Sequence, residues 1–231
     1  MMKVLISDFD GTLYINENDV KNNAKKIGDF RKGGNIFIIS TARNYSTIKK
    51  SCLKYNIDVD YFFCDIGATI LDNDGKVLYS EYIKEFERKK IEEILEKYSE
   101  EIVIDRYGTN GRQAKGEKGI VEYKIKGNIN DLSKLKQIID KEIKDVRTQV
   151  TEDSRFIIHT STKEKVIETF IKNTNIEKSS IYTVGDELDD LEMLKKYNGY
   201  RMEHCNELVG DTISNKVASV SELIDSIIYR W

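Results

Sequence analysis

Val4-Leu5-Ile6-Ser7-Asp8-Phe9-Asp10-Gly11-Thr12-Leu13 is the stretch on which the fold of this chain turns. A short apolar run that meets acid and then Gly-Thr reads as a buried strand whose carboxyl end opens into a tight turn. Asp8 and Asp10 stand two residues apart, so their carboxylates lean to the same side of the strand end. There they face the crevice in which open α/β sheets place ligands. Two neighbouring carboxylates repel unless a cation or a shared proton intervenes, which calls for a hard divalent ion. Gly11 permits the sharp turn, and the amides exposed there suit an anionic oxygen. Taken alone, the same residues equally describe an Asp-rich turn that caps the next helix.

Outward from this stretch the periodicity alternates. Asn18 to Arg31 is helical, and Lys32-Gly33-Gly34-Asn35 stops it. Ile36-Phe37-Ile38-Ile39 is a second buried strand ending in Ser40-Thr41, Tyr45 to Tyr55 is helix, and Tyr61-Phe62-Phe63-Cys64 is a third strand. This pattern predicts an α/β fold with a Rossmann-like parallel-sheet core covered on both faces. Near Lys76 the grammar changes. Thr69-Ile70-Leu71 and Val77-Leu78-Tyr79 pair across Asp72-Asn73-Asp74-Gly75. Glu85 to Ser99 is a charged helix, Ile102-Val103-Ile104 and Gly119 to Ile125 are strands, and Leu132 to Ile143 is a helix. Val146 to Val150 and Phe156 to His159 are strands. An αββ pattern given twice predicts an α+β module with an antiparallel sheet, and Gly108 to Gly119 reads as a loop between strands. The parallel grammar resumes with a helix from Val166 to Asn173, a strand from Ile181 to Val184 and a helix from Leu188 to Lys196. The expected organisation is a discontinuous core, 1–79 and 159–231, around an inserted domain, 80–158.

Composition narrows the class. The chain has 231 residues, 39% of them hydrophobic, with 37 Lys and Arg against 40 Asp and Glu. A balance of −3 argues against a protein built to neutralise nucleic-acid phosphates. No apolar run has the roughly 18 residues a membrane span needs, and Asp8 arrives too early for a signal-peptide core. Cys52, Cys64 and Cys205 are far apart and in no metal-ligand spacing, which suits buried thiols in a reducing compartment. A soluble cytoplasmic protein is expected. Runs such as Glu85-Phe86-Glu87-Arg88-Lys89-Lys90 read as solvated helix faces.

Gly185-Asp186-Glu187-Leu188-Asp189-Asp190 follows the strand at Ile181 to Val184 and so lies at the same sheet edge as Asp8. Two acidic strand ends on one edge make an oxygen-rich site suited to Mg²⁺ with retained waters. An N-capped helix with acids complementing its dipole is the plainer alternative for this motif. Thr41, at the end of the second strand, adds a neutral hydroxyl. Lys163, at the start of the helix before the Asp186 strand, adds a point charge. Phosphoryl transfer is mostly positioning and charge neutralisation, and an ordered set of carboxylate, metal, hydroxyl and lysine suffices for it.

With Asp-x-Asp-Gly-Thr-Leu and Gly-Asp-x-x-x-Asp in this order, the chain resembles the phosphatases of the haloacid dehalogenase superfamily. Within them it is similar to the Cof-like, type IIB subgroup, whose large C2-type cap follows the third core strand. The resemblance implies that Asp8 is the nucleophile and forms an aspartyl-phosphate. Asp10 would protonate the leaving alkoxide and then activate water. Thr41, within Ser40-Thr41-Ala42-Arg43, falls on the second motif and Lys163 on the third, with Lys165 a nearby competitor. Asp186 falls on the metal-binding acid of the fourth motif and Asp190 on its supporting acid. Mg²⁺ would be held by Asp8, Asp186 and the backbone carbonyl of Asp10. Gly11, Arg43, Asp189, His204 and Arg155 are candidate phosphate or substrate contacts, and Arg106, Arg112 and Tyr107 candidate cap contacts. His159 reads as a structural partner.

The chain departs from the subgroup in four places, the mildest being Ala42 for the more usual Gly. Ile66-Gly67-Ala68 stands for Asn-Gly-Ala, Met202-Glu203-His204-Cys205 for Met-Gly-Asn-Ala, and Asp189 for an Asn. The function so implied is Mg²⁺-dependent hydrolysis of a small phosphorylated metabolite such as a sugar phosphate. A sugar phosphomutase, a phosphorylatable receiver and a non-catalytic phospho-ligand-binding protein remain alternatives. The length, the inserted domain and Asp10 weigh against the receiver. The sequence leaves the oligomeric state open.

Overall fold

The computed structural model describes residues 2–98, 100–109, 111–151 and 154–229. The chain forms two compact units, one from Met1–Leu78 with Thr162–Trp231 and one from Tyr79–Ser161. The first unit is an α/β sandwich. Its elements are β1 (Val4–Ser7), α1 (Glu17–Lys32), β2 (Ile36–Ser40), α2 (Tyr45–Tyr55), β3 (Tyr61–Cys64), β4 (Thr69–Asp72) and β5 (Val77–Ser80). The second unit holds α3 (Glu85–Glu96), β6 (Val103–Gly108), β7 (Gly111–Gln113), β8 (Ile120–Lys126), α4 (Ile129–Glu142), β9 (Arg147–Val150) and β10 (Arg155–His159). The chain then returns with α5 (Lys163–Thr174), β11 (Ile181–Gly185), α6 (Leu191–Lys196), β12 (Asn198–Met202), α7 (Glu207–Thr212), β13 (Lys216–Val217) and α8 (Val220–Tyr229).

The core sheet has the order β13-β12-β11-β1-β2-β3-β4-β5. Its pairings are parallel from β13 through to β3, and β4 returns antiparallel to β3. Strand alternation distributes the core over both faces. Leu5, Phe37, Ile39, Phe62 and Cys64 pack on one side with Val20, Ile27 and Phe30 of α1, Ile48 of α2 and Leu223, Ile224 and Ile227 of α8. Tyr61 and Phe63, of opposite parity, meet Phe170 of α5, with ring centroids 4.9 and 5.3 Å apart. Burial on both faces explains why these strands are near-continuous apolar runs.

The second unit is an antiparallel sheet in the order β7-β6-β8-β10-β9. One face carries α3 and α4 through Ile91, Leu95, Leu132, Leu135 and Ile139 packed on Tyr123, Ile125, Phe156 and Ile158. The stretch from Gly108 to Gly119, expected as a loop, contains β7, which pairs with β6 from Arg106↔Gln113 to Gly108↔Gly111. The doubled αββ pattern therefore has an extra strand in its first half. The charged run at the start of α3 also differs from expectation: Glu87 and Arg88 are buried while Phe86 is exposed. No described helix is long and apolar enough to cross a membrane.

Candidate active site

Asp8 is the first residue beyond β1, and its amide continues the ladder by donating to the Val184 carbonyl at 3.0 Å. Ser7 lies opposite Val184 in the parallel register. Asp186, directly after β11, thus emerges at the same sheet edge. β1 pairs with β2 on one side and β11 on the other, so the acids flank the point where the strand order reverses.

The carboxylate oxygens of Asp8, Asp186 and Asp190 lie within 4.8 Å of one another, all on buried residues. Into this group reaches Lys163, whose side chain is 2% exposed. Its Nζ donates to Asp8 Oδ1 and to Asp190 Oδ1, both at 2.7 Å, and pairs with Asp189 Oδ2 at 3.0 Å. The local sequence explains this placement. Thr162 caps α5 by accepting the Lys165 amide at 3.0 Å, and Val166, Ile167 and Phe170 bury the helix. Lys163 is then the first helical residue, and helical side chains slant toward the N-terminus. Lys165, the competing lysine, is half-buried, and its amide donates to the Thr162 cap.

Around Asp186 the packing is tight. Thr12 Oγ1 donates to Asp186 Oδ1 at 2.5 Å, and Gly11, at φ +84°, has no room for a Cβ beside that carboxylate. Asp190 Oδ2 accepts the amides of Asp186 and Glu187 at 3.0 and 3.1 Å. With Oδ1 on Lys163, Asp190 is committed to holding its loop.

With Asp189, which also pairs with Lys163, four carboxylates against one ammonium leave an excess of three negative charges when all are ionised. Burial raises the Asp8 carboxyl well above its ordinary range, against the pull of Lys163 and with the push of Asp190 and Asp189. Burial likewise raises Asp186, against the Thr12 hydrogen bond and Lys163, and pushes Asp190 up to about 7. Burial acts to lower Lys163, but Asp189, Asp190 and Asp8 outweigh it and hold the ammonium well above its usual value. A divalent cation fits both the charge excess and the oxygen donors, with Asp8 and Asp186 the acids whose oxygens are least committed.

The other candidates take varied places. The Asp10 side chain stands outside the carboxylate cluster. Its Oδ2 accepts Arg43 Nε at 2.7 Å, and its Oδ1 accepts a second bond from the same guanidinium. Arg43 also donates to Ser51 Oγ at 3.0 Å and lies over the Phe9 ring at 4.8 Å. Thr41 is buried at the end of β2, its hydroxyl accepting the Arg43 amide at 3.1 Å. His204 Nε2 is 2.8 Å from the Gly11 carbonyl. In the second unit, Arg155 is exposed at the start of β10. Arg106 is committed to Glu92 at 2.6 and 2.7 Å, and Arg112 pairs with Asp105. Tyr107 lies under Lys124 Nζ at 5.3 Å. His159 Nδ1 is bonded to the Ser161 carbonyl at 2.8 Å. Thr12 received no role from the sequence, although its hydroxyl, one residue past the Gly11 turn, was the available signal.

A family model of haloacid dehalogenase-like hydrolases matches residues 5–115 and 109–227. The chain belongs to this family. An uncharacterised protein of Mycoplasma capricolum is 41% identical over 91 residues, which is 36% of this chain and 33% of that relative. The match thus spans about a third of the length of that relative. A haloacid dehalogenase-like hydrolase from Bacteroides thetaiotaomicron superposes with a TM-score of 0.83 at 13% identity, covering 98% of this chain and 100% of its own. A second protein of that organism, described among the phosphatases of the haloalkanoate superfamily, gives 0.76 at 18% identity, covering 99% and 95%. At such identities both are likenesses of fold, and they agree with the parallel core sheet and the inserted antiparallel unit.

Proposed function

We propose that this hydrolase is a Cof-like, Mg²⁺-dependent phosphomonoesterase acting in the cytoplasm on a small phosphorylated metabolite such as a sugar phosphate. The observation that carries the reading is the buried cluster of Asp8, Asp186 and Asp190 around Lys163, with its uncompensated negative charge. Asp8, Asp186 and the Asp10 carbonyl would hold the ion. When bound, Mg²⁺ supplies positive charge that offsets the carboxylates and the incoming phosphate.

Asp8 attacks phosphorus through a carboxylate oxygen, and the bond from phosphorus to the leaving alkoxide breaks as Asp10 delivers its proton there. Asp10 then takes a proton from water. The hydroxide attacks phosphorus, the bond to Asp8 breaks, and inorganic phosphate leaves. Lys163 holds Asp8 in one rotamer and neutralises charge as the phosphoryl group transfers. Thr41 offers a hydroxyl to a phosphoryl oxygen. Arg43 now occupies both oxygens of Asp10, so it must release at least one of them for Asp10 to carry a proton. The freed guanidinium suits the substrate phosphate. The second unit corresponds to the family's cap and would set the choice of leaving group.

Phosphate release from a panel of phosphorylated metabolites tests the reading. Turnover is expected with added Mg²⁺ and its disappearance on chelation. An isomerised product with no net phosphate release would point to a mutase instead, and an inert protein across a broad panel would defeat the proposal.

A further inference from the structure

We propose that His204 is a positioning residue that holds the Asp10-Gly11-Thr12 turn against the Asp186 loop through the Gly11 carbonyl. The role rests on the phosphatase reading for its catalytic consequence, though the brace itself does not.

The loop that presents His204 is fixed at both ends. Before it, the Glu203 amide donates to the Val217 carbonyl of β13 at 3.0 Å. After it, the Asn206 amide donates to the Asp186 carbonyl at 2.8 Å, and Asn206 Oδ1 accepts the Leu208 amide at 3.1 Å. Between these anchors the imidazole Nε2 stands 2.8 Å from Gly11 O. A carbonyl only accepts, so Nε2 carries the hydrogen, and it does so in the neutral tautomer and in the imidazolium alike. The contact therefore survives protonation of the ring.

Gly11 is where such a hold matters. Its backbone, at φ +84°, lies where only glycine moves freely. Pinning its carbonyl fixes the Gly11–Thr12 peptide plane, and in a trans peptide the Thr12 N–H then points the opposite way. Thr12 is itself bonded through Oγ1 to Asp186 Oδ1. A closed circuit results: the Asp186 carbonyl to Asn206, along the loop to His204, across to Gly11, through Thr12 and back to the Asp186 carboxylate. The imidazole thus adds a join between the two acid-bearing turns to those made by the Thr12 hydroxyl and by Lys163. The imidazole is exposed, so its bond adds little to global stability. Its effect falls on the geometry of the turn between Asp10 and Thr12, where small misplacements are costly.

The test compares wild type, His204→Ala and His204→Gln, since a glutamine amide keeps a donor at similar reach. Three readouts are taken: hydrogen exchange of the segment spanning residues 9–14, Mg²⁺ affinity by calorimetry, and kcat and KM for phosphate release. In His204→Ala, exchange of that segment should accelerate and Mg²⁺ should bind several-fold more weakly, with an unchanged melting temperature. Its kcat should fall about tenfold at nearly constant KM, the loss expected for one hydrogen bond. His204→Gln should recover all three to within about threefold. Unchanged exchange in His204→Ala, or a Gln variant as impaired as Ala, would overturn the brace. Faster exchange with unaltered kcat would overturn its positioning role. A wild type that turns over no substrate would count against the phosphatase reading alone, and exchange and Mg²⁺ affinity would then decide the brace.

Discussion

At Gly11 one missing carbon lets the turn after β1 close on Asp186. A methyl there would overlap the Asp186 carboxylate in addition to the strain of φ +84°. Gly34 provides the control, because its φ is +80° but nothing lies within 4 Å of its Cβ position. Gly34→Ala should show the backbone strain alone, about 1 kcal/mol in urea unfolding. Gly11→Ala should lose about 1–3 kcal/mol more and bind Mg²⁺ more weakly; equal losses in the two variants would mean that the Asp186 carboxylate readily moves aside. Much at this scale was legible in the sequence. That Asp8 and Asp186 end on one sheet edge follows from buried strands in parallel, each meeting acid at its carboxyl end. The bonds from Thr12 to Asp186 and from His204 to Gly11 were not legible. They join residues 174 and 193 positions apart, and no local period encodes such a meeting. The pairing of Asp10 with Arg43 across 33 residues was hidden for the same reason.

Among the elements, strong periodicity set what could be read. β1 to β3 and the helices between them follow from apolar runs and caps, as does the hairpin of β4 and β5. β7 escaped because three residues, Gly111 to Gln113, cannot show an alternation, and its pairing depends on β6. The stretch from Leu188 to Lys196 read as one helix, but it opens with a 3₁₀ turn at Leu188–Asp190 before α6 begins. There the Asp190 carboxylate turns back to bind the Asp186 and Glu187 amides. The β8 strand carries a different cost. Glu122 is fully buried and pairs with Lys124 at 3.0 Å, and burial raises its carboxyl to about 7 against the pull of Lys124. A carboxyl whose pKa is higher folded than unfolded binds its proton more tightly in the native state. Its penalty is therefore absent below the ordinary value of 4.5, grows through the window up to about 7 and is full above it. Glu122→Gln should raise the melting temperature at pH 8, with a gain on the order of 3 kcal/mol or less, and should leave it nearly unchanged at pH 4. A loss of stability at pH 8 would show that the ion pair with Lys124 outweighs the burial.

For the whole molecule, the sequence made the α/β core and the inserted antiparallel unit legible, because the period of the apolar residues switches twice along the chain. The buried acids concentrate in the first unit, where burial raises Asp8, Asp186 and Asp190 together. By the same sign rule, the metal-free protein should lose stability as pH rises from the ordinary carboxylate range to about 7, the value for Asp190. Mg²⁺ bound at these acids, as proposed, would compete with those protons for the same oxygens. The rise in melting temperature at saturating Mg²⁺ should therefore be larger at pH 8 than at pH 5, as thermal unfolding with and without the ion will show. An equal rise at both values would place the ion elsewhere on the protein.

The proposed phosphoryl transfer runs through Asp8. Phosphate release from the best substrate of the panel, measured with saturating Mg²⁺ for wild type and Asp8→Asn, tests it most directly. The variant should lose several orders of magnitude in kcat while remaining folded. An Asp8→Asn protein that keeps turning over at a rate near wild type would contradict the account.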